Sequence, residues 1–305
     1  MLRSIVILTA IGALAWNPVA LAQSSAETEH LVVQDFSRQL SGKQLQDFAG
    51  KADEALMKSV QFWGIPGPGN GKIRMELYPQ QGLHAFSVFQ QMRARGARPE
   101  RIVRVYGLES PQEMVHKLTH ALFPTEDKLV RNMMGVPTEA RFGNPLSFPM
   151  CGRALDSWVA ALRRARSYVP LAKLGQRHED WGMSFSGQMP VVTDRKRQHA
   201  SYMEAGSFGA WLIDTQGVEK LRAFYRAAQE GGRPWKMIFG KDLAALETEW
   251  EQSIDEHGQG SPAEVETLAG LWRKNPNAAC DAAAGIPSGA RPGMGSILPR
   301  RSTAP

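Results

Sequence analysis

From Ser41 to Trp63 the apolar residues Leu45, Phe48, Ala49, Ala52, Ala55, Leu56 and Val60 recur every three or four positions. That spacing puts them on one stripe and predicts an amphipathic helix. The run Gly64-Ile65-Pro66-Gly67-Pro68-Gly69-Asn70-Gly71 ends it, since glycine and proline are the strongest local breakers. Ile73 to Tyr78 alternates apolar and polar, the period of a half-buried strand. Arg101 to Tyr106 alternates likewise. Between these strands, His84 to Arg95 predicts a helix closed by Gly96. Ser110 to Phe123 predicts another, with Ser110 as N-cap, Pro111 in the first helical position and Glu113 completing a capping box.

The pattern weakens in the middle. Arg131 to Pro149 reads as loop, because Gly135, Pro137, Gly143, Asn144 and Pro145 interrupt it. Ala154 to Tyr168 is helical, and Val169 to Arg197 carries few periodic cues. Four further helices follow, at Ser201–Thr215, Val218–Glu230, Leu243–Ile254 and Pro262–Lys274. From Asn275 onward Gly, Pro, Ala and Ser dominate and apolar bulk is missing, which predicts a disordered tail over 275–305. Strands early and helices late predict an α+β fold with a small sheet and a mainly helical C-terminal part.

The first 22 residues belong to a different class. Arg3 is followed by an uncharged apolar run from Ile5 to Trp16, then Asn17-Pro18 and the small-residue site Ala20-Leu21-Ala22. This is the pattern of a secretory signal peptide cut before Gln23. The run is too short for a spanning helix, which needs about 20 apolar residues. The expectation is an exported protein, periplasmic or secreted, with no transmembrane segment in the mature chain and a single folded domain over 23–274.

Composition narrows the classes further. With 43% apolar and 22% charged residues in 305, the chain is no disordered polymer. Two cysteines exclude a disulfide scaffold and a cysteine-only zinc cluster. The net charge of +6 is mild for this length. Basic clusters at Arg93 to Arg104, Arg163 to Arg177 and Arg195-Lys196-Arg197 have few interleaved aromatics, so no nucleic-acid partner is expected. Gly67 to Lys72 looks like a phosphate loop, but Ile73 stands where Ser or Thr is needed and a strand follows instead of a helix, so it reads as a turn. Trp158, Trp181, Trp211, Trp235, Trp250 and Trp272 fall among helical apolar positions and read as core.

One phrase carries candidate chemistry: His116-Lys117-Leu118-Thr119-His120. Two histidines four apart share a helix face, so both imidazoles can reach one metal ion. The surrounding Met114 to Leu122 resembles the active-site helix of gluzincin metallopeptidases, specifically the peptidase MA-like group of exported bacterial proteins. Tyr202 to Ile213, Gly217 to Leu221 and Phe239 to Trp250 resemble that group's later helices, so the likeness covers about Leu45 to Ile254. It implies a gluzincin-like (zincin) unit, zinc as cofactor, and hydrolysis of peptides.

Two departures change what the resemblance implies. The group's general-base Glu is Lys117 here, and a protonated lysine offers no lone pair and repels a divalent cation. The third metal ligand is usually a Glu in a Glu-Gly-x-Ala segment. The match here is Cys151-Gly152-Arg153-Ala154, which sets Cys151 beside His116 and His120 as a metal ligand, with Glu139 as the alternative. Plainer readings stand alongside. Lys117 pairs with Glu113, the histidines are hydrogen-bonded in a packed groove, and Cys151 is buried or bonded to Cys280. The expectation is an inactive zincin that serves as a binding or scaffold protein for a peptide or envelope protein. The alternative is a zinc-dependent hydrolase with an altered site.

Overall fold

The computed structural model describes residues 24–69, 71–80, 86–92, 99–107, 114–186, 189–257 and 260–285. The leader over 1–22, the capping residues Ser110, Pro111 and Glu113, and the tail after 285 lie outside the described residues.

The chain opens with two strands that periodicity alone leaves unassigned, β1 (Ser24–Glu27) and β2 (Leu31–Asp35). Helix α1 (Gly42–Phe62) follows, started by a capping box in which Ser41 accepts from the Gln44 backbone and Gln44 reaches back. Strands β3 (Ile73–Tyr78), β4 (Phe86–Met92) and β5 (Glu100–Tyr106) complete a five-stranded sheet of order β1-β2-β3-β5-β4. β2, β3 and β5 run parallel, and β1 and β4 are antiparallel edges. The helix expected from His84 to Arg95 is therefore corrected over its described part, which is β4. Ser87 and Phe89 face Val105 and Val103 across the ladder, and that pairing decides the conformation of a segment that is ambiguous alone. One face of the sheet buries Leu31, Val33, Ile73, Met75, Leu77, Val103 and Val105 against α1 and against α2 (Val115–Leu122).

The rest is helical. Helix α3 (Lys128–Phe142) replaces most of the loop expected from Arg131 to Pro149. Asp127 caps it, accepting from Leu129 and Val130, and is itself held by Arg233 at 2.7 and 3.0 Å. Helices α4 (Leu155–Arg164), α5 (Arg195–Gln216), α6 (Val218–Ala228), α7 (Trp235–Phe239), α8 (Leu243–His257) and α9 (Pro262–Lys274) follow. Between α4 and α5 lies a hairpin, β6 (Met183–Ser186) and β7 (Met189–Val192). These helices share a second core in which Trp158, Trp181, Trp235, Trp250 and Trp272 are buried and Trp211 is partly so.

The disordered tail expected from Asn275 is corrected over its described part. Residues 275–285 carry α10 (Ala279–Ala283), and Cys280 is bonded to Cys151. No helix among the described residues is long and apolar enough to cross a membrane.

Candidate functional site

α2 buries His116 and His120 on one face, and α3 lies against that face. Lys128, Asn132, Gly135 and Glu139 are spaced four, three and four apart, which puts them on one stripe of α3. His116 Nδ1 lies 2.8 Å from Glu139 Oε2, and its Nε2 lies 3.1 Å from Asn132 Oδ1. The Asn132 amide is oriented by its own N–H, which donates to the Lys128 carbonyl at 2.8 Å. The two imidazoles meet edge to face at 4.4 Å. Gly135 permits this contact: a Cβ there would stand 2.8 Å from His120 Nε2 and 3.0 Å from His116 Nε2. The histidines are 5% and 3% exposed, so the pair is sealed under α3.

Burial holds both imidazoles well below their usual pKa, and neighbouring cations add to it. Lys117 acts on both rings, and so do Lys128 and Arg131. The Asn132 N–H is spent on Lys128, so its oxygen accepts from His116 Nε2–H. The Nδ1 nitrogen faces Glu139 on the other side of the ring. His120 Nε2 is buried without a partner.

The histidine pair is where the expected zinc would sit, so the fit of its surroundings has to be weighed. The orphaned His120 nitrogen speaks for a cation. Charge speaks against it. Lys117 and Arg131 both act on the two rings as cations and would repel a divalent ion there, and Glu139 offsets only one of them. The donor set is also short. Cys151, the first-choice third ligand, is corrected: its Sγ is bonded to Cys280 and supplies no thiolate. Glu139 meets the far nitrogen of His116 and orients the ring from behind. Among the described residues no three His, Cys, Asp or Glu side chains form a metal-holding group. As arranged, these residues do not fit a resident divalent cation.

α3 also supplies groups that sequence reasoning passed over. Lys128 is 1% exposed. Its Nζ lies 3.1 Å from Met183 Sδ, 3.5 Å from the Tyr202 hydroxyl and 5.3 Å from the ring centres of Trp181 and Tyr202. Burial, then Arg131 and Lys117, pushes its pKa down to about 6. The Arg131 Nε is buried with no partner. The helical spacing of Lys128, Asn132, Gly135 and Glu139 was the available signal, masked by reading Gly135 and Pro137 as breakers. Glu204 was missed too: it is fully buried on α5 and accepts the Val169 N–H at 2.9 Å, and burial keeps its pKa well above the carboxylate range.

Lys128 yields a pH signature. Its folded pKa is lowered from 10.5 to about 6, so between those values the unfolded chain binds the extra proton. Stability therefore rises with pH across that window, by at most about 1.4 kcal/mol per unit from this group. Lys128→Met is expected to abolish that slope and to be the more stable protein at pH 7. Urea unfolding of both proteins from pH 6 to 9 checks it; parallel pH profiles would rule it out.

No family model matches this chain, and no curated protein or solved structure matches it.

Proposed function

We propose that the chain is an exported, zincin-derived protein that has lost hydrolysis and acts in the cell envelope by binding a peptide or envelope protein. The observation that carries this reading is the closure of His116. One ring nitrogen faces Glu139 and the other Asn132, while α3 lies on both imidazoles at Gly135. A hydrolytic site needs an open coordination position and a general base within reach of a water. Here Lys117 stands at the base position and the rings are sealed from solvent. The leader-like N-terminus supports export, and the HKLTH phrase in its surroundings supports the zincin descent.

Zinc content and peptide cleavage of the purified mature protein test this. The expected result is far less than one zinc per chain and no cleavage that a chelator suppresses. One zinc per chain, lost when His116 and His120 become Ala, together with chelator-sensitive cleavage, would replace this reading with a zinc-dependent hydrolase. Lys117→Glu is expected to restore neither property, because Asn132 and Glu139 still occupy His116.

A further inference from the structure

The five-stranded sheet ends on two edges that are built differently. β1 is only four residues long, carries Glu27 in an ion pair with Lys72, and has its Glu27 carbonyl taken by the Gln46 amide of α1. In the separate hairpin, β7 carries Pro190. Shortness, charge and proline are devices that keep a strand edge from pairing. β4 has none of them. Its seven residues, Phe86-Ser87-Val88-Phe89-Gln90-Gln91-Met92, include no charge, no proline and no glycine.

β4 also offers bonding groups. All seven residues pair with β5 on one side, and in an antiparallel ladder alternate residues turn their N–H and C=O to the other side. Among the described residues no other strand and no other backbone hydrogen bond reaches β4. Ser87 to Gln91 are half-buried, and Met92 is 48% exposed. Phe89 is only partly buried against the sheet core.

We propose that β4 is an interaction surface for a second copy of this chain, the two strands pairing antiparallel about Phe89 so that their sheets join. In that register Phe89 faces its own image, Val88 faces Gln90 and Ser87 faces Gln91. No charge meets a charge, and the two Phe89 rings cover each other as a cross-strand aromatic pair. This self-match names the occupant, because a charged strand would find nothing in β4 to answer it. The arrangement is isologous and uses the open edge of each copy, so it closes at two, with a guarded β1 at either end. It is independent of the zincin reading, since it uses neither histidine nor the contact between α2 and α3.

Sedimentation analysis of the purified mature chain tests it. A reversible monomer–dimer equilibrium is expected between about 1 and 100 µM, as suits a small interface. Val88→Glu gains a favourable partner within one copy, because Val88 faces Arg104 on β5, but it sets two carboxylates beside the seam. It is expected to raise the dissociation constant at least about tenfold, with an unchanged circular dichroism spectrum. Two double variants read the register. Ser87→Lys with Gln91→Glu places opposite charges across the seam, and is expected to self-associate at least about tenfold more tightly than Ser87→Lys with Gln91→Lys. A monomer at about 100 µM, assembly past the dimer, a Val88→Glu dimer as tight as wild type, or equal association of the two double variants would each overturn it.

Discussion

Cys280→Ser is expected to lower the unfolding free energy by about 5 kcal/mol. Cys151 and Cys280 are separated by 129 residues, and closing a loop of that length removes about this much denatured-state freedom in the chain-entropy account. α10 is five residues long, and besides the disulfide it is held by Ala279 and Ala283, which are buried in the helical core. Cys280 is the better position to change. Cys151 sits at φ +53°, in the left-handed region, so substitution there mixes backbone strain with loss of the bond. Urea unfolding of the wild type, Cys280→Ser and the double serine variant measures the effect. A loss below about 2 kcal/mol would mean that the denatured chain is already compact in this region.

Gly209→Ala is expected to destabilise by about 2 kcal/mol, although helix propensity favours the change by about 1 kcal/mol. α5 crosses α3 at Gly206 and Gly209. A Cβ on Gly209 would stand 2.9 Å from Met133 Cα and 3.0 Å from its carbonyl carbon. Backbone cannot rotate aside as a side chain can, so α3 and α5 must separate, at about 3 kcal/mol. The carbonyl concerned is the one that Pro137 leaves unserved, because proline has no N–H to offer the residue four before it. The proline in α3 and the glycine in α5 therefore form one contact. Thermal unfolding checks the sign: an alanine variant as stable as wild type would mean that the crossing has slack.

What the sequence made legible follows from the range of the forces involved. α1 was readable because its seven named apolar positions repeat at helical spacing, and all seven are buried. β3 and β5 were readable from alternation. β4 was not, because Phe86, Val88, Phe89 and Met92 suit either period and the decision belongs to β5, its partner in the sheet. α3 was hidden for the opposite reason. Gly135 and Pro137 are unfavourable locally but serve contacts with α2 and α5, which no window of sequence contains. The candidate site was half legible. His116, His120 and Glu139 were named, and the structure brings the three together. Asn132 and Arg131 lay in the stretch read as loop, and Lys128 lay just before it in a stretch assigned to no element. Cys151 was given a ligand's role because its bond to Cys280 depends on a fold that residue spacing does not reveal.

The separations within the molecule also imply an order of assembly. His116 and Glu139 are 23 residues apart, and Cys151 and Cys280 are 129. By loop-closure entropy the longer connection costs about 1.5 kcal/mol more to form. Contacts between near neighbours in sequence form first when other things are equal. The α2–α3 pair, with its buried histidines, therefore belongs to the early structure of the folding chain, and the covalent clasp that secures the C-terminal segment belongs to its end.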